Sequence, residues 1–269
     1  MKTRLTILAA VTLVALCCVS CNNSDRKSTA LGDNLSEGVS EETTDESATA
    51  DDSSENRQIT MSIDESGLTH ESAEYFDSSG WSITFDDAPV GTVKVTMSSL
   101  PKSLADLKNL RLPEGMDNIH ANPFLAMPLI VASLNVYATD RDEAKQMLDF
   151  AARKYGDYGI GVTEAYPSNW SQLAQYKQQS FTKMLTYFDN AEKGNDGKYT
   201  VSEPVTMTLK LTNWSYTAQK NYIQIWVKSS LQSSEKEVGV FNEDTDSDGK
   251  FDRCYPVAFM QFAHGLAEY

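Results

Sequence analysis

The stretch Val205-Thr206-Met207-Thr208-Leu209-Lys210-Leu211 alternates apolar and polar residues without a break. Period two puts Val205, Met207, Leu209 and Leu211 on one face of a strand, with the threonines and Lys210 on the other. Tyr222-Ile223-Gln224-Ile225-Trp226-Val227 repeats the pattern, with Ile223, Ile225 and Val227 in phase. Val238 and Val240 mark another strand, and residues 251–259 a fourth. Strands of this alternating kind, grouped together after a run of helical segments, point to a largely antiparallel sheet.

Towards the N-terminus the period changes. Residues 123–137 carry Phe124, Leu125, Met127, Leu129, Ile130, Val131 and Leu134. Apolar almost all round, they predict a helix inside a core, with Asn122 as N-cap and Pro123 at the first helical position. Pro128 falls near enough to the first turn for its missing N–H to be tolerated. Asp140-Arg141-Asp142-Glu143 opens a second helix in the manner of a capping box, with Ala144, Met147, Leu148, Ala151 and Tyr155 as its buried stripe. A short helix at 103–110 comes before these. Ser168 caps a third long helix, striped by Trp170, Leu173, the stem of Lys177, Phe181, Met184, Leu185 and Phe188. Further back, Trp81-Ser82-Ile83-Thr84-Phe85 and Val93-Lys94-Val95-Thr96-Met97 flank the turn-like Asp86-Asp87-Ala88-Pro89-Val90-Gly91, which predicts a hairpin. The whole is α+β: a largely antiparallel sheet of about six strands, with three or four helices inserted between the N-terminal hairpin and the C-terminal strands.

The first residues read differently. Met1-Lys2-Thr3-Arg4 is positive, residues 5–19 are uncharged and mostly apolar, and Ser20-Cys21 follows. That order is a secretory signal, and the run is short for a membrane span. The small residue before Cys21 resembles a bacterial lipoprotein signal, which implies acylation of Cys21 and anchorage in a cell-envelope bilayer. Residues 1–21 are thus expected to be the signal peptide. Residues 22–74 hold 14 acidic residues against three basic ones and no aromatic, a composition that predicts a disordered acidic tether. Residues 75–269 are expected to form the single α+β domain.

The net charge of −15 excludes a general nucleic-acid coat, which needs clustered Lys and Arg. Most of that charge lies in the tether, so the domain is only mildly acidic and its charge selects no partner.

Several motifs recur in a familiar order: Ser99-Leu100-Pro101-Lys102-Ser103-Leu104, Asn122-Pro123-Phe124 with its apolar helix, Asp142 to Phe150, Tyr199-Thr200-Val201-Ser202-Glu203-Pro204-Val205, and Ile223-Gln224-Ile225-Trp226-Val227-Lys228-Ser229. Over about residues 97–264 the chain resembles an uncharacterised family of bacterial domains of unknown function, found in secreted, lipid-anchored and other proteins of anaerobes. The resemblance implies one α+β domain and carries over no catalytic residue. The long tether and the Asp-rich loop depart from its common pattern.

The Asp-rich loop is the sharpest local signal. Asp244, Asp246 and Asp248 at positions 1, 3 and 5, Gly249 at 6, the Lys250 carbonyl at 7 and Asp252 at 9 match the start of a calcium loop. Position 12 is Tyr255 rather than a bidentate Glu, and the flanks read as strands. A plain hairpin turn around Asp248-Gly249 is the expected reading, with calcium the alternative. No cofactor is required.

Zinc finds no ligand set: His70 lies in the tether, and His120 and His264 have no second His or Cys at ligand spacing. Cys254 reads as a buried thiol in a strand. Glu164 and Glu203 have the chemistry for acid–base work, but no spacing pairs them, and Glu203 reads as leading into a strand. There is no nucleophile elbow, phosphate-binding glycine loop or dinucleotide fingerprint. Trp214, Tyr216 and Trp226 concentrate aromatic surface near one edge. Trp226 is out of phase with Ile225 and Val227, so it lies on the opposite sheet face. There it packs if helices cover both faces and is partly exposed if they cover one. Packing is the expected role, and a binding surface the alternative.

These features predict a tethered envelope lipoprotein, more a non-enzymatic binding or interaction module for a glycan or protein than an enzyme. The alternative is a hydrolase of glycan or peptidoglycan whose carboxylates meet only in the fold.

Overall fold

The computed structural model describes residues 57–76, 82–154, 159–212, 215, 222–243, 252–257 and 259–268. Strand β1 (Met61–Phe76) and strand β2 (Ser82–Met97) lead into α1 (Leu104–Lys108), α2 (Ala126–Val136) and α3 (Arg141–Ala151). A small ladder of β3 (Arg153–Lys154) and β4 (Ile160–Gly161) precedes α4 (Val162–Ala165), α5 (Pro167–Leu173) and a 3-10 helix, Gln178–Tyr187. A second small ladder, β5 (Ala191–Lys193) and β6 (Tyr199–Val201), is followed by β7 (Val205–Leu211), β8 (Tyr222–Val227), β9 (Lys236–Glu243), β10 (Arg253–Pro256) and α6 (Met260–Ala263).

The main sheet has the order β1-β2-β7-β8-β9-β10, antiparallel at every pair. β7 lies beside β2 in the register Met97↔Val205 to Gly91↔Leu211, so the whole helical insertion leaves and re-enters the sheet at one place. This is the α+β arrangement expected from the alternating stretches. Val205, Met207, Leu209 and Leu211 are buried, as are Val93, Val95 and Met97 beside them and Ile225, Val227, Val238 and Val240 beyond. α2 lies in the same core, and every residue from Ala126 to Leu134 is buried.

Local chemistry explains the helix starts. Ser103 Oγ accepts from Asp106 N at 3.1 Å and Asp140 Oδ1 accepts from Asp142 N and Glu143 N, capping α1 and α3. Glu143 does not close the expected capping box; its carboxylate accepts from Leu104 N instead, joining α3 to the start of α1. Asn122 Oδ1 accepts from Phe124 N at 2.9 Å, but this caps a turn, and α2 proper begins at Ala126 rather than Pro123. Pro128 cannot donate to the Phe124 carbonyl, which takes Met127 N at 3.3 Å in a tighter turn.

Four expectations need correction. The domain takes in residues well before Tyr75: Ile59 is fully buried, Met61 is 2% exposed, and β1 starts inside the segment read as a tether. Ile59, Met61 and Ile63 alternate as a strand should, but the acidic residues around them dominate the composition, as suits an edge strand. Nor do Asp86 to Gly91 turn. They continue β2, with Pro89 opposite His70 and Gly91 opposite Leu68. Gly91 has φ +134°, and a Cβ there would lie 2.1 Å from the Gly67 carbonyl oxygen, so the glycines mark a close backbone crossing at a register shift. Pro89 lies beyond the end of the β2–β7 pairing, where its missing N–H breaks no bond to β7.

The third correction is the long helix from Ser168. It starts at Pro167 and stops at Leu173, because Lys177 is extended (ψ 118°) and its N–H donates to the Glu268 carbonyl. The chain then continues as the 3-10 helix. The Ser180, Thr182 and Thr186 hydroxyls each donate to the carbonyl three residues back, which suits that tighter winding. The buried stripe becomes Phe181, Met184 and Tyr187, at period three. The last predicted strand is also shorter: β10 covers Arg253–Pro256, and α6 follows.

Candidate functional site

The sheet face opposite the core begins with the polar positions of the alternating strands. Thr208 and Lys210 of β7 and Trp226 of β8 point there, and Lys210 is the direct register partner of Trp226. The residues at the end of the 3-10 helix stand over this face as a wall. Asp189 N donates to the Thr206 carbonyl and Asp189 Oδ2 accepts from the Thr208 hydroxyl, both at 2.8 Å. Ser230 N donates to the Thr186 carbonyl at 2.9 Å. The Thr186 hydroxyl donates to the Lys183 carbonyl, so the Ser229 hydroxyl, 2.7 Å away, is the donor between those two.

Wall and sheet enclose a groove of about 400 Å³ beside Trp226, Lys210, Lys228, Asp189 and Glu235, within the range of small-molecule sites. Trp226 is half-buried, and its Nε1 is enclosed with no acceptor among the described residues. The surface it offers is therefore ring carbon. Lys210 pairs with Glu235 at 3.3 Å, an exposed contact of small energetic worth. No carboxylate among the described residues pairs with Lys228. Tyr187 is not an acid–base group: burial raises its pKa, and its hydroxyl donates to the Phe262 carbonyl at 3.0 Å.

The other expected site residues are placed as follows. Cys21, Trp214, Tyr216, Asp244, Asp246, Asp248 and Lys250 lie outside the described residues. Asp252 is exposed at the head of β10, and its N–H donates to the Glu243 carbonyl at 2.8 Å. The Asp-rich segment therefore joins two antiparallel strands. Among the described residues no cluster of three metal-ligating side chains occurs. Cys254 is buried as expected, and burial pushes its thiol up to about 12. His70 and His264 are exposed and His120 is half-buried, its ring 4.8 Å from that of Tyr255. Glu164 is exposed in α4. Glu203 accepts from Arg57 Nη2 at 2.6 Å and from Leu100 N at 3.1 Å.

Sequence reasoning reached Trp226 but missed its neighbours. Lys228, one residue past β8, continues its phase and Lys210 has the solvent phase of β7, so alternation alone would have found both. Asp189 and Glu235 lie outside the strands, and no pattern in the chain marks them.

Residues 99–252 match the model of a family described as a domain of unknown function (DUF6935). No curated protein and no solved structure matches the chain. The matched span takes in Asp189, Lys210, Trp226, Lys228 and Glu235, and leaves out β1 and β2.

Proposed function

This chain belongs to the DUF6935 family, whose description carries no activity, and from its groove we propose a non-enzymatic binding module of the cell envelope. Acylation at Cys21 anchors it in a bilayer, and the acidic residues before β1 hold the domain away from the surface. The signal-like residues 1–21 support the anchor. The observation that carries the binding role is Trp226: a half-buried aromatic on the sheet face opposite the core, beside a groove rimmed by charged and hydroxyl groups. Rigid aromatics flanked by a few polar groups are what recognition sites use to fix a ligand.

Binding is favoured over hydrolysis by what the carboxylates do. Glu203 is held by Arg57 and Leu100 N, Asp189 by Thr208 and Glu235 by Lys210. Glu203 and one oxygen of Asp189 already accept from protein donors, and Glu235 lies in a weaker exposed pair, which supports a binding role over proton transfer.

The test is co-sedimentation of the full chain with an isolated cell-envelope fraction, from which lipid has been extracted so that the anchor plays no part. Trp226→Ala is expected to weaken retention by about tenfold or more, as removal of a central aromatic does. Equal retention of the wild type and the variant would refute the reading. The anchor is checked separately: Cys21→Ala should leave the membrane fraction.

A further inference from the structure

Resting on the reading of this groove as a binding site, we infer that its ligand is a neutral saccharide. Trp226 presents ring carbon to the groove, since its only polar side-chain atom is enclosed. A pyranose has a matching apolar face, made of its axial C–H groups. Around the indole the lining mixes donors with acceptors: Lys210 and Lys228 donate, Asp189 and Glu235 accept, and Ser230 does both.

The charges decide between ligand classes. Two lysines and two carboxylates leave this lining without net charge. A polyanion would gain from Lys228 and be repelled by Asp189 and Glu235. An apolar ligand would strip water from all four charges and return no hydrogen bond. A sugar hydroxyl donates and accepts at once, so successive hydroxyls satisfy a lining of mixed sign. Asp189 is ready for such a group: Oδ2 takes the Thr208 hydroxyl, and among the described residues no donor reaches Oδ1.

The full chain is titrated calorimetrically with chitohexaose, cellohexaose and xylohexaose, and with trigalacturonate as the acidic comparison. Saturable binding of a neutral oligosaccharide is expected, about equal at low and high salt. Trp226→Ala should weaken it about tenfold or more and Trp226→Phe should restore most of it, because a second ring keeps the stacking face. Lys228→Gln, at an exposed position, should weaken binding by several-fold without moving the unfolding temperature. Trp226-dependent retention on envelope material with no neutral oligosaccharide bound overturns the saccharide and leaves the binding module standing. Binding of trigalacturonate alone, lost in high salt, overturns neutrality. Loss of Trp226 dependence with both probes overturns the saccharide and the module together.

Discussion

The Arg57 guanidinium and the Glu203 carboxylate meet at 2.6 Å, joining the segment that leads into β1 to the strand before which Glu203 stands. The same Oε1 accepts from Leu100 N at 3.1 Å, where β2 gives way to the helical insertion. One carboxylate thus holds together the approach to β1, the exit from β2 and the approach to β7. Its two partners are not equivalent. The ion pair is 31% and 41% exposed, so solvent screens it and its worth is about 0–1 kcal/mol. The backbone N–H of Leu100 lies in a part-buried contact, and losing a charged acceptor there costs about 1–3 kcal/mol. Glu203→Ala should therefore destabilise the chain more than Arg57→Ala in urea unfolding. High salt should erase most of the Arg57 effect and spare most of the Glu203 effect. Equal losses from the two variants would show that the ion pair, rather than the Leu100 contact, provides most of the stabilisation.

Gly91 provides a second check, on the corrected path of β2. With φ at +134° and the Gly67 carbonyl oxygen 2.1 Å from where a Cβ would stand, Gly91→Ala adds both backbone strain and a backbone clash. Such a substitution is expected to cost about 2–4 kcal/mol. Gly115→Ala also has a positive φ, but nothing lies within 4 Å of its added carbon, so it suffers only the strain. Thermal unfolding of the two variants should rank Gly91→Ala clearly lower. A hairpin turn at residues 86–91 would instead leave Gly91→Ala close to Gly115→Ala.

What was legible depended on how pure each period was. β7 and α2 were readable because one element alternates without exception and the other is apolar on all sides. Ile59 and Met61 obey the same alternation, but they sit among charges that an exposed edge tolerates, and average composition hid them. The 3-10 helix was misread because Phe181, Met184 and Leu185 also fit a 3.6 period, and the break at Lys177 depends on a carbonyl from Glu268, far along the chain. The groove divides in the same way. Trp226, Lys228 and Lys210 follow from strand phase, while Asp189 is delivered by the Asp189 N–Thr206 O contact, which only the folded chain creates.

Burial gives the chain a defined alkaline limit. The Cys254 thiol is pushed up to about 12 from an ordinary 9.0, and the Tyr187 phenol is raised in the same direction. Both groups are neutral in the folded state over a range where the unfolded chain ionises them. Below pH 9 both states hold the protons, and stability is unaffected by these groups. Above it the unfolded chain binds fewer protons than the folded one, so stability falls as pH rises. The slope from the thiol alone is about 1.4 kcal/mol per pH unit at most, between about 9 and 12. Cys254→Ala should flatten the early part of that decline and leave the later part, to which Tyr187 and the likewise burial-raised Tyr137 and Tyr222 contribute. Urea unfolding from pH 7 to 11 checks this. A decline that starts below pH 8, or one unchanged in the variant, would place the sensitive group elsewhere.

The calcium question turns on Tyr255. In a calcium loop starting at Asp244 it occupies the twelfth position, where a bidentate Glu completes the site. Tyr255 is instead 2% exposed, its ring tilted against that of His120, and the neighbouring Cys254 N–H donates to the His120 carbonyl at 2.7 Å. Its backbone is paired with Phe241 across the β9–β10 ladder. The twelfth position is thus committed to the sheet and the core, and the remaining oxygens lack their strongest partner. The expected outcome is a plain hairpin connection. The unfolding temperature of the full chain should be the same in millimolar calcium and in chelator, and Asp246→Ala should not change that result. A saturable rise in calcium, abolished by Asp246→Ala, would show that Asp244, Asp246, Asp248, the Lys250 carbonyl and Asp252 suffice without the missing carboxylate. Affinity would then be expected at the weak extracellular end, about 10⁻⁴–10⁻³ M.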